Sequence, residues 1–327
     1  MNTNEIPSRK KAATHRLNSG LTRVLTLPLM SRVLDLDPDE RNTTLTQSIT
    51  NTSYVFGHSE EEIQRLVRQS RLFNPCTRRF LEQAGISAGM KVLDVGSGPG
   101  DVALLLADRV GPGGAVVGVD IDPARLDIAR ARARVAGYEN VSFVAGDING
   151  IELDDDFDAI VGRFILIHRR EPGATLRTLA RHLRPGGLVA FQDADFSPAA
   201  VSIPSSRLSE QLEAWIKGAF RCAGLEMQMG LKLYHLFPEA GMPTPCMCSE
   251  AFVIGSRESN QAEMELAIAY IVNFVHLLLP LILKFGIATA EEVAIDTLAE
   301  RLRAEWASQR MVWRMGVDVV SAWTRMV

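Results

Sequence analysis

The 327-residue sequence predicts an α/β fold, a doubly wound, mostly parallel sheet with helical cap segments at its N-terminal and C-terminal ends. Three observations predict it. Residues 89–196 alternate short apolar strand-like runs with helix-length segments. The breaks between them are turn clusters such as Gly111-Pro112-Gly113-Gly114 and Arg184-Pro185-Gly186-Gly187. The flanking stretches read mainly as helices. Strands spaced by helices require right-handed crossovers and give a sheet covered on both faces.

The chain is accordingly read in three parts: an N-terminal helical arm and cap over 1–88, a core over 89–196, and a helical lid or substrate segment with the last sheet strands over 197–327. In the first part, Ser59-Glu60-Glu61-Glu62 forms a capping box, with Ile63, Leu66, Val67 and Leu72 following near helical spacing. Asn74-Pro75 reads as the cap and first position of a second helix ending at Gly85.

In the core, strands are expected at Lys91–Val95, Ala115–Asp120, Val141–Asp147, Phe157–Gly162 and Leu188–Asp193. Helices are expected at Pro99–Val110, from Asp122-Pro123 to Gly137, and at Pro172–Leu183. Beyond it, helices are expected at Ser205–Ala223, Met229–Ala240, Gln261–Phe285 and Thr289–Ala307. Strands are expected at Ser249–Gly255 and Val317–Val327.

Composition bounds the function. The apolar fraction is 46% and the charged fraction 23%, as in a soluble globular protein. A net charge of −4 and a pI of about 5.9 argue against a nucleic-acid partner, which would call for a basic surface. Cys76, Cys222, Cys246 and Cys248 are too few and scattered for a disulfide framework, and no ligand set stands at metal-site spacing. No signal peptide is read, so a cytoplasmic protein is expected. Residues 1–34 carry six Lys/Arg and one acid, read here as an arm before a covering helix. The apolar run Leu266–Phe285 is interrupted by Asn273, His276 and Pro280 and reads as a buried helix, kinked or ended near Pro280.

The segment that carries chemistry is Val92-Leu93-Asp94-Val95-Gly96-Ser97-Gly98-Pro99-Gly100-Asp101. A strand enters a glycine-rich turn and leaves as a helix, and glycines let a ligand approach the backbone. In open α/β sheets such turns lie at the carboxyl ends of strands, where ligands bind. A dinucleotide site favours G-x-G-x-x-G with a pyrophosphate at the helix N-terminus. Here the glycines fall at 96, 98 and 100, directly after Asp94. A carboxylate repels a pyrophosphate and attracts an ammonium and a sulfonium. S-adenosylmethionine carries both cations and no phosphate. Asp120 ends the second strand, where an acid accepts from ribose hydroxyls. Asp147 follows the third strand, where it can accept from an adenine amino group with Ile148 against the ring.

With these motifs in place, residues 54–196 resemble the class I S-adenosylmethionine-dependent methyltransferases, a Rossmann-like family with a seven-stranded sheet. The resemblance rests on Val92–Gly100, Gly118-Val119-Asp120-Ile121, Gly146-Asp147-Ile148, Phe157-Asp158-Ala159-Ile160-Val161 and Leu183-Arg184-Pro185-Gly186-Gly187. It implies that Gly96, Ser97, Gly98 and Gly100 lie under the methionine moiety, that Asp120 holds the ribose and Asp147 the adenine, with Ile121 and Ile148 also in the cofactor site, and that Arg163 reaches the methionine end through its backbone. It also implies an antiparallel last strand, supplied by Val317–Val327. Tyr54–Gln69 looks like the opening segment of small-molecule members, in which Tyr54 and Gln69 would close over the methionine carboxylate.

Methyl transfer is an in-line displacement, so the protein must align acceptor, methyl and sulfur and exclude water. An acceptor that carries a proton also needs a base. His168, after the fourth strand, and Asp193, at the end of the fifth, are the expected catalytic residues. Asp195, His235 and His276 are further possibilities, and no metal is expected. The expected function is methylation of a small molecule at carbon, nitrogen or oxygen, in specialised metabolism. The expected partner is that small molecule, with no nucleic acid and no membrane, in a monomer or homodimer. Alternatives are a protein or RNA methyltransferase, a non-methylating protein that binds S-adenosylmethionine on the same fold, and an NAD-dependent oxidoreductase.

Overall fold

A computed structural model describes residues 60–153, 156–255 and 261–326. The chain divides into Met1–Asn51 and Thr52–Val327, and every described residue belongs to the second unit. The expectations for the basic arm, for the cap at Ser59 and for Tyr54 lie outside the described residues.

Eight strands form one sheet: β1 (Lys91–Val95), β2 (Ala115–Asp120), β3 (Val141–Ala145), β4 (Phe157–Arg163), β5 (Leu183–Asp195), β6 (Val201–Ile203), β7 (Cys246–Gly255) and β8 (Val312–Arg325). The first five run parallel in the order β3-β2-β1-β4-β5. β8 lies antiparallel to β5, from Leu188↔Arg325 to Asp195↔Asp318, and pairs with β7 as well. The count is eight rather than seven because β8 outruns β5. The short β6 pairs with the overhang, Ile203 opposite Val312.

The helices are α1 (Glu60–Ala84), α2 (Asp101–Val110), α3 (Pro123–Ala136), α4 (Pro172–Ala180), α5 (Arg207–Ala223), α6 (Met229–Glu239), α7 (Gln261–Lys284), α8 (Ala290–Val293) and α9 (Ile295–Gln309), with a 3-10 turn at Leu166–His168. Local chemistry explains several ends. The Asp122 carboxylate caps α3 by accepting from the Ala124 N–H, with Pro123 in the first turn. Ser206 caps α5 by accepting from the Ser209 N–H. Thr289 and Glu292 form the expected capping box.

Several local expectations change. The two helices expected on either side of Asn74-Pro75 are one, α1, with Pro75 inside it. Phe73, Cys76, Phe80 and Leu81 form a buried face that continues across the proline, and its packing outweighs the lost backbone bond. α7 keeps the span expected for Gln261–Phe285 to within one residue and runs through Pro280, with Val275, Leu278 and Ile282 buried around it. The helix expected over Thr289–Ala307 divides at Ala294, which adopts φ 41°. β3 stops at Ala145, so Asp147 stands two residues beyond the strand.

Strand alternation builds the core. Val92, Val116, Ala159, Val161, Leu188 and Ala190 face α1, α2 and α3. Leu93, Val95, Val119, Ile160, Val189 and Phe191 face α4 and α6. A separate cluster joins α5, α7 and α9 with Phe196, Trp313 and Met315. α7 is long and apolar enough to cross a membrane by length and composition, yet one of its faces packs into this cluster, with 39% of its most apolar stretch buried.

Phe237 of α6 is fully buried in the second cluster. Phe237→Ala is expected to lower the unfolding free energy by about 3–5 kcal/mol, read as a shifted midpoint in urea.

Candidate active site

Three parallel strands end level with one another. Val95 pairs with Val119 of β2 and with Gly162 of β4. The glycine loop, Asp120 and Arg163 therefore emerge along one edge of the sheet. The loop is held by its own amides. Ser97 N–H donates to Val119 O (2.9 Å), Gly98 N–H to Asp120 Oδ2 (2.8 Å) and Gly100 N–H to Ser97 O (2.9 Å). These donors are already used, so they offer nothing to a pyrophosphate. Gly96 has φ +68°, and a Cβ there would lie 2.6 Å from Ile165 Cδ1. Gly98 has φ +53°, and a Cβ there would meet nothing within 4 Å. The first glycine is needed for packing beneath the loop, and the second leaves open space beside it.

Acids gather around this loop. Asp94 is 1% exposed, and its Oδ2 has no hydrogen-bond partner. Burial pushes its carboxyl up to about 7. Arg163 pulls it down, while Asp120 and Asp101 push it further up. Ser97 Oγ is also buried without a partner. Asp120 accepts from Gly98 N–H through one oxygen and from Asp122 N–H through the other (2.9 Å). Buried anionic oxygen short of partners, beside an open glycine loop whose Ser97, Gly98 and Gly100 amides are already bonded, fits a cationic ligand. On the rim, Ile121 is 61% exposed. Ile148 is buried. Asp147 is exposed, accepts from Asn149 N–H (3.1 Å) and lies 3.6 Å from Arg169.

Arg163 ends β4 and points toward α1. Its Nη1 donates to Asn74 Oδ1 (2.9 Å) and to Thr77 Oγ1 (3.0 Å). Thr77 Oγ1 donates to Gln192 Oε1 (2.7 Å), and Gln192 Nε2 donates to Ser321 Oγ (2.9 Å). A buried polar chain thus ties α1 to β4, β5 and β8. Burial lowers the Arg163 pKa, opposed by Asp101, Cys76 and Asp94. Asn74, Thr77, Gln192 and Ser321 escaped sequence reasoning. The available signal was polar residues at helical spacing within an apolar face, and a lone glutamine directly after the apolar run Leu188–Phe191.

Beyond Arg163 the chain turns. Phe164 adopts φ +55°, and its N–H donates to Gln192 O (2.8 Å). His168 closes the 3-10 turn, its N–H donating to Ile165 O (3.1 Å). Asp193 is 0% exposed. Its Oδ2 accepts from Leu166 N–H (3.0 Å) and Ile167 N–H (3.3 Å), and Oδ1 from Ala194 N–H (3.2 Å). Burial pushes its carboxyl up to about 7 against these hydrogen bonds. Asp195 accepts from Ser197 N–H (3.0 Å). Gln69 is half-buried on α1, while His235 on α6 and His276 on α7 are exposed. The structure therefore brings Asp94, the glycines, Asp120, Arg163 and Asp193 to one region, with His168 on the adjoining turn. Among the described residues, no group of three His, Cys, Asp or Glu stands close enough to hold a metal.

A mostly parallel sheet in the order β3-β2-β1-β4-β5, with a glycine loop after β1, has a Rossmann-like architecture. Comparison with known proteins narrows the class. The family model described as "Methyltransferase domain" matches residues 86–241. Residues 86–241 are thus similar to a methyltransferase domain. The chain is 40% identical over 119 residues to methyltransferase GfsG of Streptomyces halstedii, covering 36% of this chain and 42% of that one. It is 38% identical over 114 residues to the ubiquinone/menaquinone biosynthesis C-methyltransferase UbiE of Idiomarina loihiensis, covering 34% and 45%. It is 39% identical over 113 residues to an arsenite methyltransferase of Aquipseudomonas alcaligenes, covering 32% and 33%. The match spans less than half the length of these relatives. The family match ends before β7, α7, α9 and β8.

Thr77→Val removes the hydroxyl shared by Arg163 and Gln192. A loss of about 1–3 kcal/mol in unfolding free energy is expected, measured by chemical denaturation, because two buried polar groups lose a partner. Gly96→Ala combines an unfavourable positive φ with the Ile165 clash, so it is expected to lower Tm more than Gly98→Ala, where only the backbone is strained.

Proposed function

We propose that the chain transfers the methyl group of S-adenosylmethionine to a small, largely apolar acceptor of specialised metabolism, in the cytoplasm. One observation carries the donor side: the buried Asp94 carboxylate beside the open Gly98 position. The donor's amino-acid ammonium and sulfonium add positive charge beside the Asp94 oxygen that has no partner. Asp120 keeps acceptor capacity for ribose hydroxyls while bracing the loop. Exposed Ile121 and buried Ile148 offer apolar surface for the adenine, with Asp147 for its amino group. Gly96, Ser97 and Gly100 shape the loop, Arg163 borders the methionine end, and Gln69, with Tyr54, closes over the methionine carboxylate.

When bound, the donor supplies a methyl already activated by its positive sulfur. The chain's own task is alignment and exclusion of water. Phe164, Ile167, Phe252 and Tyr270 are partly buried apolar side chains at the junction of β4, β7, α1 and α7. They favour an apolar acceptor over a polymer that would need an open charged groove. His168, on the turn after β4, is the proposed base for an acceptor that must lose a proton.

Calorimetry is expected to show S-adenosylhomocysteine binding and no NAD binding; the reverse result overturns the proposal. Affinity for S-adenosylhomocysteine is expected to rise as pH increases through about 7, because Asp94 must ionise to meet the ligand's ammonium. Asp94→Asn is expected to flatten that pH dependence. An unaltered profile in the variant would remove Asp94 from the donor site.

A further inference from the structure

Asp193 combines complete burial with a carboxylate directed at backbone. The β4–β5 ladder pairs Arg163 with Gln192, and its last backbone bond is Phe164 N–H to Gln192 O. At Phe164 the chain swings into the left-handed region and leaves the sheet. The next strand residue on β5 is Asp193, and its Oδ2 takes the amides of Leu166 and Ile167 at 3.0 and 3.3 Å. The side chain thus carries the ladder on where backbone pairing has stopped.

The turn it holds is pressed against the glycine loop. The Ile165 side chain occupies the space a Cβ on Gly96 would need, with Cδ1 2.6 Å from that position. It also lies over Gly162, where a Cβ would stand 3.0 Å from Ile165 Cγ2. Leu166 is itself fully buried in the core facing α4 and α6. A continuous path of contacts therefore runs from Asp193 through the 165–168 turn to Gly96.

We propose that Asp193 is a positioning residue that locks the 165–168 turn onto Gly96, setting the donor loop and the acceptor-side turn in register. This rests on the donor reading given above. It assigns Asp193 no proton transfer: both oxygens are occupied by amides, and the side chain has no path to solvent. Its effect on methyl transfer passes through Ile165 and His168, whose relative placement to the loop it fixes.

Hydrogen exchange on the full-length protein tests this without an acceptor. Asp193→Ala is expected to speed exchange about tenfold or more in a peptide covering 164–169, because charged-acceptor bonds to two amides are lost. Exchange at 95–99 is expected to rise with it, while β4 residues 158–162 and β5 residues 188–192 keep their protection. Affinity for S-adenosylhomocysteine is expected to fall about tenfold. Asp193→Asn retains one carbonyl oxygen for both amides and is expected to restore turn protection and affinity to within about threefold of wild type. Variants that leave exchange and affinity at wild-type values would overturn the proposal. So would an Asn variant as loose as the Ala variant while both remain folded by circular dichroism. If the wild-type protein fails to bind S-adenosylhomocysteine, the donor reading falls, and the exchange pattern still judges the Asp193 lock.

Discussion

The common register of β2, β1 and β4 is the constraint on which the site depends. Because Val95 lies opposite both Val119 and Gly162, the chain leaves three neighbouring strands at one level. Three connections then share a narrow edge: the glycine loop, the Asp120 turn and the 164–168 turn. A slip of one residue on any strand would turn its apolar residues to the wrong face and carry Asp94, Asp120 or Arg163 away from the others. Core packing enforces the register, since alternate residues of each strand fill two different helix–sheet layers.

That edge accumulates buried charge, and the fold answers it in two ways. Some groups are bonded within the protein. Asp120 and Asp193 are occupied by backbone amides, and Arg163 is held by Asn74 and Thr77. Asp94 keeps an oxygen without a partner. Desolvation of an unpaired carboxylate is costly. The imbalance therefore marks the place where a ligand cation is most favourable. The amide-bonded acids brace the loops, and Asp94 alone of the three keeps a buried oxygen without a partner.

The C-terminal cap is built on different physics. α5, α7 and α9 bury aromatic and aliphatic side chains around Phe196, Trp306 and Trp313. Phe73 of α1 meets Phe164, Phe252 and Tyr270 edge-on at centroid separations of 5.0–5.3 Å. Donor machinery and acceptor-side packing thus meet at Arg163-Phe164, two adjacent residues. Donor-side motifs follow backbone requirements that many sequences share, and the family match reaches only to residue 241. The segments beyond residue 241 are held by side-chain packing between α5, α7 and α9 rather than by the loop motifs of the core.

The sequence alone determined the alternation of strand and helix, the glycine loop, and the three acids at or just past the ends of β1, β2 and β3. Each depends on local chemistry: periodicity, turn residues, and positive φ at glycine. Tertiary structure decided what local chemistry cannot. Packing carried α1 through Pro75 and α7 through Pro280, because a buried face outweighs one lost backbone bond. The length of β8 created an eighth strand. Long-range pairing through Thr77, Gln192 and Ser321 bound α1 to the sheet, though these residues stand far apart in the chain. Asp193 shows the division most clearly. Its position at a strand end was legible as a candidate base, while the partners of its oxygens depended on how β4 turns beside it.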